Sequence, residues 1–143
     1  MRLITLLLIL SLANCGTVKQ DLQMKEIYFQ EFKTTYFKRL LRKGFNKDKG
    51  YDNAVKIDNS HYAEPILSLE DINYIDSLTV VGNHFMTSDS LQSFGKRAEG
   101  AEGKRVFYFA LDRYNSKWLD SITKKRFKKY WKFEMDFRKS LRK

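Results

Sequence analysis

QDLQMKEIYFQEFKTTYFKRLLRK, residues Gln20 to Lys43, places apolar side chains at Leu22, Phe29, Phe32, Tyr36 and Leu40. Ile27, Phe37 and Leu41 widen the stripe. Steps of three, four and seven put these residues on one side of an α-helix, with charge on the other. Asp21 and Glu26 stand toward the start, and Lys38, Arg39, Arg42 and Lys43 toward the end. That order complements a helix dipole at both ends. Gly44 then offers a stop. The aromatic stripe reads as core, so the chain beyond it is expected to supply helices that cover it.

Downstream, Phe45 to Pro65 is a polar connection scattered with Asn46, Asp48, Gly50, Asp52, Asn53, Asp58, Asn59 and Ser60. A structureless loop of that length is uncommon in a compact domain, so part of it should be ordered or functional. Its Asp and Gly spacing is not that of a helix-loop-helix calcium site. Ser68, three residues before Asp71, marks a capped helix start. Leu69, Ile72, Ile75, Leu78 and Thr79 give this helix an apolar face, and it should run to about Gly82 or Phe85, with His84 as a capping or packing residue near its end. Ser88, Asp89 and Ser90 suggest another start, leading a short turn through Leu91 and Phe94. Gly95 to Lys104 lacks the order of a phosphate-binding loop and reads as a surface loop.

Val106 to Leu111, VFYFAL, suits a buried strand by length and composition, yet Phe107, Ala110, Leu111, Tyr114 and Trp118 continue at helical spacing. Helical neighbours and the lack of a clear strand to pair with favour helix. The expected fold is therefore mainly α, a small bundle of three to five helices forming a single domain over residues 20–143. The alternative is an α+β domain with a short strand or hairpin around 78–81 and 106–111. Tyr74-Ile75-Asp76-Ser77-Leu78-Thr79 and Trp118-Leu119-Asp120-Ser121-Ile122-Thr123 match in kind at successive positions. Without a third copy, shared helical chemistry explains the match better than a solenoid repeat.

The last segment, Ser116 to Lys143, carries a seam at Thr123, Phe127, Tyr130, Glu134, Phe137 and Leu141 for packing on another helix. Lysines and arginines crowd the rest of its surface. Lys124, Lys125, Lys128, Lys129, Lys132 and the neighbouring Trp131 are the candidate residues for binding an anionic surface. The competing reading is a solvated face on a core helix.

The other end of the chain is an address. Arg2 precedes an almost wholly apolar run from Leu3 to Leu12, roughly half the length that spans a bilayer as a helix. That is the order of a secretion signal, residues 1–14, rather than of a permanent membrane span. Leu12-Ala13-Asn14-Cys15 closes it and resembles the lipobox of bacterial lipoproteins. The resemblance covers only this segment. It implies that the signal is cut before Cys15, that the Cys15 thiol receives a diacylglycerol, and that residues 15–19 form a lipidated tether to the bacterial cell envelope. Leu12 and Ala13 match the apolar and small positions, whereas Asn14 stands where Gly, Ala or Ser is usual.

One cysteine in an exported chain forms no internal disulfide, and lipidation accounts for it. With Cys15 so used, only His61 and His84 remain as zinc-type ligands, short of the about four that a structural site needs. No metal or other cofactor is expected. The chain has 27 basic and 17 acidic side chains and a formal net charge of +10. In an exported protein that surplus favours anionic lipid, envelope polysaccharide or an acidic protein, and disfavours nucleic acid. The leading expectation is a non-enzymatic accessory protein, held to the membrane by its lipid and docking through its basic C-terminal helix. The alternatives are an exported hydrolase using Asp58, His61 and Glu64 in the 58–64 loop, or an inhibitor or immunity-type binder of an acidic exported protein.

Overall fold

The computed structural model describes residues 2–58, 66–92 and 103–141, with side chains from residue 21 onward. Five helices account for them: α1 (Arg2–Gly44), α2 (Lys49–Ile57), α3 (Leu69–Gln92), α4 (Val106–Tyr114) and α5 (Lys117–Ser140). No strand occurs among the described residues. Both segments considered for a strand lie inside helices. Leu78 to Val81 is mid-α3, and Val106 and Ala110, one turn apart, seat α4 on the core. The protein is a small, mainly α-helical bundle.

The helix α1 is the spine, and it packs against each of the other four. α3 runs parallel to it, so that Asp71 lies near Tyr28, Gly82 faces Leu40 and Tyr36, and Met86 reaches Gly44. α4 and α5 run back in tandem. Val106 meets Gly44, Tyr114 packs edge-on against Phe37, Trp118 against Tyr36, Phe127 against Phe29, and Tyr130 Oη donates weakly to Met24 Sδ. The tandem breaks at Asn115, where Ser116 restarts the helix by accepting the Leu119 N–H on its Oγ at 3.2 Å. The result is three rods: α1, α3 and the α4–α5 pair.

Covering α1 from two sides shifts its buried stripe. Tyr28, Phe32, Tyr36 and Leu40, each one helical step of four from the next, are fully buried, with Leu41 beside them. Phe29 is only half-buried and Leu22 is exposed, because α3 begins at the level of Tyr28 and no third rod reaches Leu22. Ile75, Met86, Val106, Ala110 and Leu119 complete the core from the partner helices.

Gly44 does more than end the helix. A Cβ there would stand 2.5 Å from Val106 Cγ1 and 3.2 Å from Met86 Cε, so the bare backbone is what lets α4 and α3 close over the end of α1. The turn itself is made two residues later. Asn46 and Lys47 adopt φ of 55° and 60°, and the Lys47 N–H returns to the Arg42 carbonyl at 2.8 Å. The ordered part of the polar connection is α2, capped by the Asp48 carboxylate, which accepts from the Gly50 and Tyr51 N–H groups.

Ser68 and Asp71 form the expected reciprocal cap: the Asp71 N–H donates to Ser68 Oγ, and Ser68 N–H donates to Asp71 Oδ2. α3 then continues past Phe85 to Gln92, since Thr87 Oγ1 turns back to the Asn83 carbonyl instead of breaking the ladder. His84 is exposed within it, with neither a capping nor a packing role. Ser93 and Phe94, and residues 95–102 of the Gly-containing loop, lie outside the described residues.

The matched hexapeptides turn out to be two equivalent seats on one spine. Ile75 and Thr79 of α3, and Leu119 and Thr123 of α5, are all fully buried. Asp76 pairs with Arg39 and Lys43, and Asp120 with Lys33, so each segment clamps itself to α1 with the same polar position. Both threonine hydroxyls donate to a carbonyl of their own helix, Asp76 and Leu119, which satisfies them inside an apolar contact.

Candidate anionic-surface site

Along α1 the basic side chains are largely matched. Lys33 pairs with Asp120 at 2.7 Å, Lys38 with Asp58 at 2.6 Å, Arg42 with Asp52 at 2.6 Å, and Arg39 and Lys43 with Asp76. These contacts hold Asp52 and Asp76 below the usual carboxylate range, chiefly through the hydrogen bonds donated by Arg42 and Arg39 respectively. Most of this local positive charge is therefore met by acid.

α5 is different. Lys124, Lys128 and Lys132 recur every four residues, so they stand one above another on the helix, with Lys125 alongside. All four are exposed, and none has an ion pair among the described residues. They point away from the buried seam of Leu119 and Thr123. Lys129 does not belong to this stripe. It turns toward α3 and pairs with Glu70. Trp131 is half-buried, stacked on Phe127 at 5.7 Å between centroids and covered by the Arg138 guanidinium at 5.5 Å, so its ring is engaged within the protein.

A second cationic feature, with no signal of its own in the sequence, fastens α5 to α3. Arg126 donates to the buried Asp71 carboxylate at 2.7 Å and to Glu70 at 3.1 Å, and lies over the Tyr74 ring. Lys129 and Arg126 together hold Glu70 below its ordinary pKa. Beside this cluster, Tyr28 Oη is buried without a hydrogen-bond partner among the described residues, and burial, helped by the nearby Asp71 carboxylate, raises its pKa well above the normal tyrosine value. The pairing Arg126–Asp71 joins residues 55 apart and crosses between rods, which no periodicity within either helix encodes.

No family model, curated protein or solved structure matches this chain. The functional reading rests on the molecule alone.

The loop considered for hydrolysis is partly visible. The Asp58 carboxylate is held by Lys38, at the rim of an open groove of about 440 Å³ between α1, α2 and α4, lined by Phe37, Leu41, Tyr51, Val55, Leu111 and Tyr114. Tyr51 Oη donates to the Lys38 carbonyl, and burial raises its pKa to about 12, so it stays protonated and acts as a positioning group in the wall. His61 and Glu64 lie outside the described residues. Among the described residues no group of three or more His, Cys, Asp or Glu side chains could hold a metal ion. No helix among them is long and apolar enough to cross a membrane. The backbone of α1 continues through Cys15, whose side chain is outside the described set.

Proposed function

We propose that this protein is a lipid-anchored accessory protein of the bacterial cell envelope, without catalytic activity, that docks an anionic surface through the outer face of α5. The observation that carries the reading is the contrast in charge pairing. Arginines and lysines of α1 are met by Asp52, Asp58, Asp76 and Asp120, whereas Lys124, Lys125, Lys128 and Lys132 are exposed and carry no ion pair among the described residues. Unpaired lysines grouped on one face sum their fields. Close to an anionic membrane each contributes about 1 kcal/mol, and salt screens the total.

The lipobox-like Leu12-Ala13-Asn14-Cys15 supports the anchor and the compartment. Two experiments test the reading. Cells fed labelled palmitate should label the wild-type chain and not Cys15→Ala; label that survives the substitution overturns the anchor. The full chain should bind vesicles containing phosphatidylglycerol with an affinity that falls as salt rises. Combined Lys124→Glu, Lys128→Glu and Lys132→Glu should weaken that binding by a factor of about a hundred, on the order of 1 kcal/mol per lysine. Binding unchanged by the triple reversal removes the α5 face from the proposal. Selective binding to an acidic protein, with vesicles ignored, would favour the inhibitor or immunity-type reading instead.

A further inference from the structure

The seam of α5 is covered only in its first half. Leu119 and Thr123 are buried, Phe127 and Tyr130 half-buried against α1. Beyond them the same side of the helix comes into the open: Phe133 is 71% exposed, Phe137 51% and Leu141 71%. These three are four residues apart, so they form one continuous apolar stripe. Their exposure has a cause in the topology. α3 begins beside Lys129, where Glu70 pairs with it, so the later turns of α5 extend past the start of α3 with α1 as the one helix alongside among the described residues. From Trp131 to Leu141 that projection measures roughly 15 Å of helix.

The projecting end is the end that carries Cys15. α5 is antiparallel to α1, and Arg138 is close enough to Asp21 for the two charges to interact. Cys15 is six residues before Asp21 on the same helix, or about 9 Å along its axis. From Lys124 to Lys143 the sequence holds ten basic residues and two acidic ones, and those two, Glu134 and Asp136, pair with Arg138 and Lys139. Two copies meeting through such ends would repel each other, whereas an anionic leaflet would attract them.

We infer that the last turns of α5 insert into the outer part of the same leaflet that holds the Cys15 lipid, with Phe133, Phe137 and Leu141 among the upper acyl chains and the surrounding lysines and arginines at the phosphates. This rests on the lipoprotein reading. Aromatic and leucine side chains seated at the acyl boundary beneath a basic collar are the usual chemistry of interfacial helices. Insertion at this point, beside the anchor, fixes the bundle's orientation on the membrane.

The test uses the full chain, purified from bacterial membranes and reconstituted in vesicles of phosphatidylglycerol and phosphatidylcholine, the latter carrying a photoactivatable group on the upper carbons of its acyl chain, close to the headgroup. After irradiation, peptides are mapped by mass spectrometry, which also reports the mass of the Cys15 peptide. The expected result is acyl-chain label on the Phe133–Leu141 segment at several times the level on Leu69–Gln92. Phe133→Ser, Phe137→Ser and Leu141→Ser together should remove it, and since all three side chains are exposed, helicity by circular dichroism should be unchanged. Lipid on Cys15 with no label on α5, or equal label on α5 and α3, overturns the insertion and leaves the lipoprotein reading standing. An unmodified Cys15 overturns both.

Discussion

Lys47 holds φ at 60° and Asn46 at 55°, a conformation that costs a side chain with a Cβ about 1 kcal/mol and costs glycine almost nothing. Lys47→Gly should therefore raise the stability to urea by up to that amount. Gly44 presents the opposite case: a methyl group would overlap Val106 Cγ1, and Gly44→Ala should cost about 1–3 kcal/mol as α4 is pushed off the spine. Arg126 is the most consequential charged side chain. Asp71, 2% exposed, has its ionic partner there. Arg126→Ala would leave that carboxylate buried and uncompensated, at a cost of about 3–5 kcal/mol. Arg126→Lys should recover only part of this, since one ammonium cannot serve Asp71 and Glu70 through a planar fork. Equilibrium denaturation of the four variants checks these values together.

At the scale of elements, the two seats on α1 make a paired prediction. Ile75→Ala and Leu119→Ala should each cost about 2–5 kcal/mol, because both side chains are fully buried at equivalent positions of matching hexapeptides. Leu69→Ala and Leu91→Ala, on exposed parts of α3, should stay within about 0.5 kcal/mol, as urea midpoints would show. These elements also show what was legible in advance. The α1 stripe, the Ser68–Asp71 cap and the helical spacing through VFYFAL were readable because each is a local pattern of three or four residues. The true centre of the stripe, on Tyr28 rather than Phe29, was not, since it depends on the angle at which two other rods arrive. The length of α3 exceeds the expected one for a related reason: Ser88, Asp89 and Ser90 resemble a helix start, yet Thr87 just before them bonds back to Asn83 within an unbroken helix. Of the candidate docking residues, the stripe at Lys124, Lys128 and Lys132 follows from spacing alone. The pairing that withdraws Lys129 from it depends on where α3 begins.

The whole molecule responds to pH through its ion pairs. Asp52, Glu70 and Asp76 all titrate below their ordinary values because of the cations beside them. A lowered folded-state pKa gives stability that is complete above the ordinary carboxylate value of about 4 and is lost as pH falls through the lower folded value. Thermal stability should thus be flat near neutrality and decline below about pH 4, with a modest amplitude that added salt reduces, since these pairs are largely solvent-exposed. The spine arrangement carries a consequence in time as well. α1 leaves the ribosome first, yet its mates come from the far end of the chain: Met24 meets Tyr130 across 106 positions, and Tyr28 waits for Phe127. Until α4 and α5 have been synthesised, Phe32, Tyr36 and Leu40 lack half their cover, so a chain ending at Gln92 should be digested by protease as readily as an unfolded polypeptide. Under the proposed lipoprotein reading, in which the chain is threaded through a secretion pore behind its N-terminal signal, late closure of the core would keep the chain extended for as long as export needs it to be.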